Sequence, residues 1–354
     1  MRRKNRKLDN ILVIKQGPLG EFVQALAACK IIRDYHYDAK VTLLTTAPYA
    51  EMAGQSPYFD AIWQDDHLAG KTGVLKQVRR IRHSRFGRIY DLQNSSRSHL
   101  IYRLLWPFRP EWSGIVRGCS HPHKNRKRGK MHTVDRQAEQ LAMAGVGLGR
   151  GRVGDMAPPP DLSWARDVQR GAARTELTWF GIRKPFALMA PGGAPDASEK
   201  RWPAEFYGSL AMRLRRAGLM PVIIGTEMDK EAAFVIQKAC PGALSLINRT
   251  DFIQIIMLAR QAELAIGNNT GPMHLIASSN CPSLVLFSAA GNPDLCAPRG
   301  ASVTSVTKKK IAGISVGEVW EKLQNLPPRP TSSAEPHERE SQAGDAHEEG
   351  LEET

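Results

Sequence analysis

Leu264-Ala265-Ile266-Gly267-Asn268-Asn269-Thr270-Gly271-Pro272-Met273-His274 is the stretch on which the reading of the chain turns. An apolar run ends in a polar turn flanked by glycines. Pro272 then stands at a helix start, a position that suits proline because the first helical N–H groups have no partner in any case. The pattern predicts strand Leu264–Ile266, a turn open to close approach by a ligand, and helix Pro272–Ser278. The first turn of such a helix offers free N–H groups and the positive end of the dipole, so it favours an anion such as a diphosphate. Two roles are open to Thr270: cap of the helix or ligand to a phosphate oxygen. His274, one turn in, can donate to the same anion, and its spacing after the turn favours that role over a plain core histidine.

Outward from this turn, short β-branched runs alternate with longer amphipathic stretches, the signature of parallel sheets covered by helices. In the first half the pattern predicts strands Ile11–Lys15, Lys40–Leu44, Ala61–Trp63 and Arg88–Leu92, with helices Glu21–Asp34, Lys71–His83, Ser95–Leu105 and His132–Ala144. Arg117–Lys130 reads as a basic loop carrying His121 and His123. A glycine- and proline-rich transition follows, with a helix expected around Leu162–Leu177. The alternation then restarts with strands Phe186–Met189, Pro221–Ile224, Ala243–Leu246, Leu264–Ile266 and Ser283–Phe287. Helices Ala204–Ala217, Asp229–Ala239, Phe252–Arg260 and Pro272–Ser278 lie between them, and an amphipathic segment, Val316–Leu323, comes last. Phe206, Leu210 and Leu214 recur at helical spacing and give the first of these helices one buried face. The fold class is α/β, two Rossmann-like units in series. Residues 1–155 form the first, 156–185 a linker and 186–310 the second; 311–328 form a terminal helix and 329–354 a disordered acidic tail. Two such units imply a cleft between them, with ligands at the carboxyl ends of the strands.

Two further turns are candidates. Strand Ile11–Lys15 runs into Gln16-Gly17-Pro18-Leu19-Gly20-Glu21. Gly17 and Gly20 let backbone approach a ligand, but a full G-x-G-x-x-G is absent and the second strand ends in Thr45-Thr46, so a nicotinamide dinucleotide is not expected. Glu21 either complements the helix dipole or serves as a general base facing the cleft. In the second half, Met189-Ala190-Pro191-Gly192-Gly193-Ala194 follows a strand, and Lys200 and Arg201 lead into the next helix before Pro203. Gly192 and Gly193 leave room for a ligand. The two cations either neutralise phosphate or form a solvated basic turn.

Composition narrows the classes. The formal charge is +14, and the last 24 residues carry eight acids against one base, which leaves +21 on residues 1–330. So basic a body favours anionic partners. Cys29, Cys119, Cys240, Cys281 and Cys296 are scattered and odd in number, which argues against a disulfide framework or a zinc site. The basic N-terminus is followed by only a four-residue apolar run, Ile11–Ile14, far short of an export signal. A cytoplasmic protein is expected, with peripheral contact to the inner membrane face as an option. No aromatic-rich RNP-type segment accompanies the basic runs, so nucleic acid is not expected as a partner.

Several stretches together resemble glycosyltransferase family 9, the ADP-heptose:lipopolysaccharide heptosyltransferases. They are Ile11–Lys15 through Gly20-Glu21-Phe22-Val23, Asp91–Ser98, His132–Arg136, Pro191-Gly192-Gly193, Lys200–Pro203 and Gly267–His274, in the family's order. The resemblance implies a GT-B fold with parallel sheets facing across an interdomain cleft. It implies an acceptor bound mainly by the first half and a nucleotide-sugar donor bound by the second. It further implies an inverting transfer of heptose or a related sugar from ADP to an anionic, lipid-linked inner-core oligosaccharide. No cofactor and no metal are implied, the ADP-sugar being a substrate. Glu21 stands where the family has a catalytic Asp, and Lys200 matches a phosphate-contacting lysine. Thr270, Gly271 and His274 match the diphosphate site, and Glu227 matches an acid that contacts the ribose. There are two departures: Glu21 carries one methylene more than Asp, and Asn269 replaces an Asp. They motivate the alternative of a non-catalytic sugar-nucleotide-binding or scaffold protein.

Overall fold

The computed structural model describes residues 9–65, 71–147, 157–165, 176–193 and 198–330. Alternating strands and helices build two sheets of six strands, all parallel. In the first half the strands are β1 (Asn10–Ile14), β2 (Lys40–Thr45), β3 (Ala61–Gln64), β4 (Arg88–Asp91), β5 (Glu111–Gly114) and β6 (His121–Pro122). The helices are α1 (Leu19–Tyr35), α2 (Ala47–Gly54), α3 (Lys71–Ser84), α4 (Ser96–Leu104) and α5 (Thr133–Met143). After a short helix α6 (Leu177–Phe180) the second half runs β7 (Phe186–Ala190), α7 (Ala204–Arg216), β8 (Met220–Ile223), α8 (Lys230–Ala239) and β9 (Leu244–Ser245). It continues with α9 (Phe252–Gln261), β10 (Leu264–Asn268), α10 (Gly271–Ser278), β11 (Ser283–Ser288), α11 (Pro293–Cys296), β12 (Val303–Lys308) and α12 (Val316–Gln324).

The strand orders are β3-β2-β1-β4-β5-β6 and β12-β11-β10-β7-β8-β9. Counted from its own first strand, each sheet has the 3-2-1-4-5-6 order of the dinucleotide-binding folds. The order reverses between β1 and β4 in the first sheet and between β7 and β10 in the second, so the crevices at the carboxyl ends of these four strands are the ligand positions. β1 and β10 are buried through nearly their whole length, as central parallel strands must be with helices on both faces.

The halves share one core. Helices α1 and α10 pack against each other, and Leu26, Ile31, Ile256 and Leu275 belong to a single buried cluster. Phe22 stacks on Tyr49, which leans on Phe252 of the second half at 6.0 Å between ring centroids. Contacts of this kind add about 0.5–1.5 kcal/mol each beyond area burial. Arg299 pairs with Asp135 across the same boundary, its Nη1 2.7 Å from Oδ1. Residues 157–165 are docked on both halves: Tyr58 donates to the carbonyl of Asp161 and Arg260 to that of Leu162.

The expected helices and strands are present within a residue or two. The basic loop Arg117–Lys130 needs correction, since it contains β6 and a 3-10 turn at Arg128–Lys130. A two-residue strand holding Pro122 leaves no periodicity to read. β5, β12, α2 and α11 were not expected either. The helix expected around Leu162–Leu177 and the disordered tail fall largely or wholly outside the described residues. All five cysteines are free thiols. Among the described residues no helix is long and apolar enough to cross a membrane.

Candidate functional site

The turn after β10 is held by a residue that sequence reading passed over. Asn268, almost fully buried, donates through Nδ2 to the carbonyls of Pro191 (2.8 Å) and Gly192 (3.0 Å). Its Oδ1 accepts from the Trp202 N–H and the Tyr207 hydroxyl, both at 3.1 Å. One side chain thereby ties the turn after β7, the Lys200–Pro203 segment and α7 to the end of β10. Trp202 is locked in turn through its indole N–H to the Ile314 carbonyl, 2.8 Å away. Arg201 donates to the Gly193 carbonyl at 2.8 Å and thus supports the turn, leaving Lys200 exposed beside it.

Beyond Asn268 the polar atoms lose their partners. Thr270 occupies the cap position of α10 but makes no capping bond, and its Oγ1 is buried without a partner. Asn269 donates through Nδ2 to Cys296 Sγ at 3.4 Å, while its Oδ1 is unpaired. His274 Nδ1 is buried and unpaired as well, and burial, with His132 adding repulsion, pushes this imidazole down to about 3. At neutral pH the ring is therefore uncharged. A buried polar group left unsatisfied costs about 1–3 kcal/mol, and folded proteins carry few of them. Three of these lie within residues 269–274, at one helix N-terminus; the Thr270 hydroxyl and the neutral His274 ring can each donate to a ligand oxygen, whereas Asn269 Oδ1 can only accept.

Opposite lies the loop after β1. Gly17 takes φ +92°, a region that disfavours side chains, and the backbone there is braced by Gln93, whose Oε1 accepts from the Gln16 N–H at 3.0 Å. Gln16 Nε2 reaches Asp65 Oδ2 at 2.8 Å, and Arg97 grips the same carboxylate through two bonds of 2.9 Å. Glu21 sits in the first turn of α1 with its side chain half exposed and accepts from Lys15 Nζ at 3.0 Å. The Lys15 ammonium is buried, which pushes its pKa down, and the Glu21 carboxylate opposes that shift. Lys15 is a second residue not foreseen; as the last residue of an apolar run it reads as ordinary strand. Asp91, buried at the end of β4, is a third. Burial raises its carboxyl to about 6, with the Ser98 and Asn94 bonds opposing.

The two helix starts meet. A Cβ placed at Gly20 would stand 2.7 Å from His274 Cδ2, and one at Gly271 would stand 2.7 Å from Leu19 Cβ. Each helix thus presents a glycine to a side chain of the other. Burial raises the Cys296 thiol, hydrogen bonding from Asn269 and the charge of Lys200 lower it, and the charge of Glu21 raises it. Gly20, Gly271 and His274 meet at the two helix starts, with Glu21, Asn269 and Thr270 in the same turns; Gly17 lies on the loop after β1, and Gly192, Gly193 and Lys200 lie between β7 and α7, in the segment that Asn268 ties to β10. Glu227 stands apart. It is exposed and makes its contacts with Asn248 and Lys230. Its neighbour Asp229 lies against the glycine turn instead: a Cβ at Gly192 would be 2.7 Å from Asp229 Oδ1. Among the described residues no group of three or more His, Cys, Asp or Glu side chains is placed to hold a metal ion.

The sequence profile of glycosyltransferase family 9 (heptosyltransferase) matches residues 74–318. Lipopolysaccharide heptosyltransferase 2 of Escherichia coli K12 is 26% identical over 311 residues, covering 81% of this chain and 85% of that protein. Among solved structures, E. coli ADP-heptose lps heptosyltransferase II superposes with a TM-score of 0.72 at 20% identity, over 89% of this chain and 98% of that one. E. coli heptosyltransferase WaaC with ADP gives 0.68 at 13% identity, over 89% and 99%. At such identities these two superpositions speak for the fold. With two facing Rossmann-like sheets and a profile match over more than half its length, the chain belongs to glycosyltransferase family 9, the heptosyltransferases.

Proposed function

We propose that this glycosyltransferase moves a heptose or related sugar from an ADP-sugar to an anionic, lipid-linked inner-core saccharide, with inversion and without a metal. The observation that carries the reading is the pair of buried, unpaired polar atoms on Thr270 and His274 at the start of α10, set against the start of α1. In this reading the diphosphate lies on the first turn of α10, taking bonds from Thr270 Oγ1, the Gly271 N–H and His274, with Lys200 supplying positive charge. Gly192 and Gly193, packed against Asp229 and Arg201, shape the turn that borders the nucleotide, and Glu227, exposed on the turn after β8, is the ribose contact. The acceptor hydroxyl approaches from the first half, past Gly17 and Gly20. Its oxygen bonds to the anomeric carbon from the face opposite the leaving group, its proton passes to Glu21, and the bond to ADP breaks with the electron pair leaving on the diphosphate. Fixed donors aimed at that developing charge lower the barrier without reorganisation. Lys15 positions the Glu21 carboxylate.

Glu21→Gln tests the assignment. Loss of a positioned base costs about 10²–10⁴ in rate. ADP release from ADP-heptose and a delipidated core acceptor is expected to fall by that amount while ADP binding is retained. Undiminished turnover in this variant would remove Glu21 from the chemistry. Wild-type protein that binds ADP yet releases none above hydrolysis background would point to a scaffold.

A further inference from the structure

Within His132–Asp135, at the start of α5, every polar side chain reaches into the second half, and the transfer step uses none of them. His132 Nε2 lies 2.9 Å from the Ala297 carbonyl oxygen, and Thr133 donates to the Leu295 carbonyl at 3.2 Å. Asp135 accepts from Arg299 at 2.7 Å. From α1, Gln24 donates to the carbonyls of Cys296 and Ala297, both at 3.2 Å. These contacts all fall on residues 295–299, where the chain leaves α11 for β12. The same segment lies along α10. At the start of that helix Asn269 donates to Cys296 Sγ at 3.4 Å, and at its end Ser278 donates to the Arg299 carbonyl at 3.2 Å. Gly300 packs so close to the Ala277 carbonyl that a side chain would not fit. α10 has eight residues, a length of about 12 Å. From Cys296 to Gly300 the chain spans about 14 Å when fully extended. The segment is therefore nearly taut, and its two ends do not shift independently.

We propose that residues 295–300 are a strap through which the first half positions the donor turn, with Gln24, His132, Thr133 and Asp135 as positioning residues for nucleotide binding. His132 has nothing left to offer a substrate. Its Nδ1 accepts from the Val134 N–H at 3.2 Å and its Nε2 donates to Ala297, so both polar atoms are engaged and the ring is neutral. Adhesion does not need these bonds. The halves already share the apolar core of α1 and α10, and a part-exposed ion pair adds little to it. What the bonds determine is the path of a segment that has no ladder of its own, and with it the side chain of Asn269. Cys296 Sγ gives its proton to the Asn292 carbonyl, 3.3 Å away, so it accepts from Asn269 and fixes the orientation of that amide. The inference rests on the donor site proposed above and adds that the first half sets part of its affinity.

The test is ADP binding to the full chain by titration calorimetry, paired with urea unfolding. His132→Asn is the first variant, because asparagine still caps α5 but is too short to reach Ala297. Its unfolding free energy should hold while ADP affinity falls at least about fivefold, the lower end of coupling between separate sites. Asp135→Asn and Arg299→Gln should each show the same loss, and the two together no more than either alone, since both cut one contact. KM for ADP-heptose should rise by the same factor, and KM for the acceptor should not. Coupling is reciprocal, so ADP should slow amide exchange over residues 132–136 in wild type and do so less in Arg299→Gln. Asp60→Asn, which breaks an ion pair with Arg33 inside the first half, should leave ADP affinity unchanged. His132→Asn protein that binds ADP like wild type would overturn the strap. So would a fall in stability that tracks the loss of affinity, or a raised acceptor KM, which would place these residues in the acceptor site. Wild type that binds no ADP would remove the donor site and the strap with it, whereas equal binding by wild type and every variant would remove the strap alone.

Discussion

Replacing Gly20 by Ala should separate stability from donor binding. In an isolated helix the change is favourable by about 1 kcal/mol. Here the new methyl would lie 2.7 Å from His274 Cδ2 and 2.8 Å from Nε2, against an ordinary contact of 3.4 Å or more. The imidazole must therefore withdraw by about 0.7 Å, and it is buried, so the shift passes to α10 itself. Overpacking of this kind costs about 1–3 kcal/mol, which leaves a net destabilisation of roughly 0–2 kcal/mol. Binding should suffer more. A hydrogen bond to a charged group is worth about 1.5–3 kcal/mol, and a ring displaced by that distance loses good geometry to a phosphate oxygen, so ADP affinity should fall about 10- to 100-fold. Titration calorimetry with ADP, paired with urea unfolding, reads both quantities. Gly54→Ala, whose methyl would find its nearest neighbour at 3.8 Å, is the control and should alter neither by much. If Gly20→Ala bound ADP as tightly as wild type, the abutting helix starts would not form the diphosphate site.

Two further outcomes follow from the same geometry. Thr270→Val removes a buried hydroxyl that bonds to no protein group, so the unfolding free energy should hold or rise by up to about 1 kcal/mol while ADP binding weakens about tenfold. A parallel loss of both would mean that the hydroxyl is structural. The second concerns pH. His274 is held at about 3 against an ordinary 6.5, so between these values the unfolded chain binds a proton that the native state does not. Its contribution is present above pH 6.5 and drains away as pH falls, at about 1.4 kcal/mol per unit. His36, at about 4, acts in the same sense, and Asp91, raised to about 6, acts oppositely between its unfolded value and that one. His274→Gln should flatten the stability profile below pH 6.5 by that slope. An anion on α10 raises this pKa, so calorimetry at pH 6 in buffers of different ionisation enthalpy should show proton uptake with ADP that vanishes in His274→Gln. A profile unaltered by the substitution would refute the buried, neutral assignment.

What could be read from the chain in advance was whatever depends on neighbours within a turn or a strand. Apolar runs such as Leu264–Ile266 and the period of Leu210 and Leu214 specify buried strands and amphipathic helices, because burial of local patterns drives them. Their alternation brings the turns after β1 and β10 to the carboxyl edges of two sheets, and the resemblance to family 9 pointed to the same turns. Elements with weak local signals were missed: β6 is two residues long and contains proline, and α2 begins with Pro48 in a first turn that reads equally as a bend. Only the tertiary structure could decide the relations across large separations. Asn268 holds four groups as far back as Pro191, and His274 fills the notch left by Gly20. Neither of these has a local term in its free energy. Each exists because chain folding brings together groups that sequence keeps apart, and because burial then removes the water that would otherwise have satisfied them.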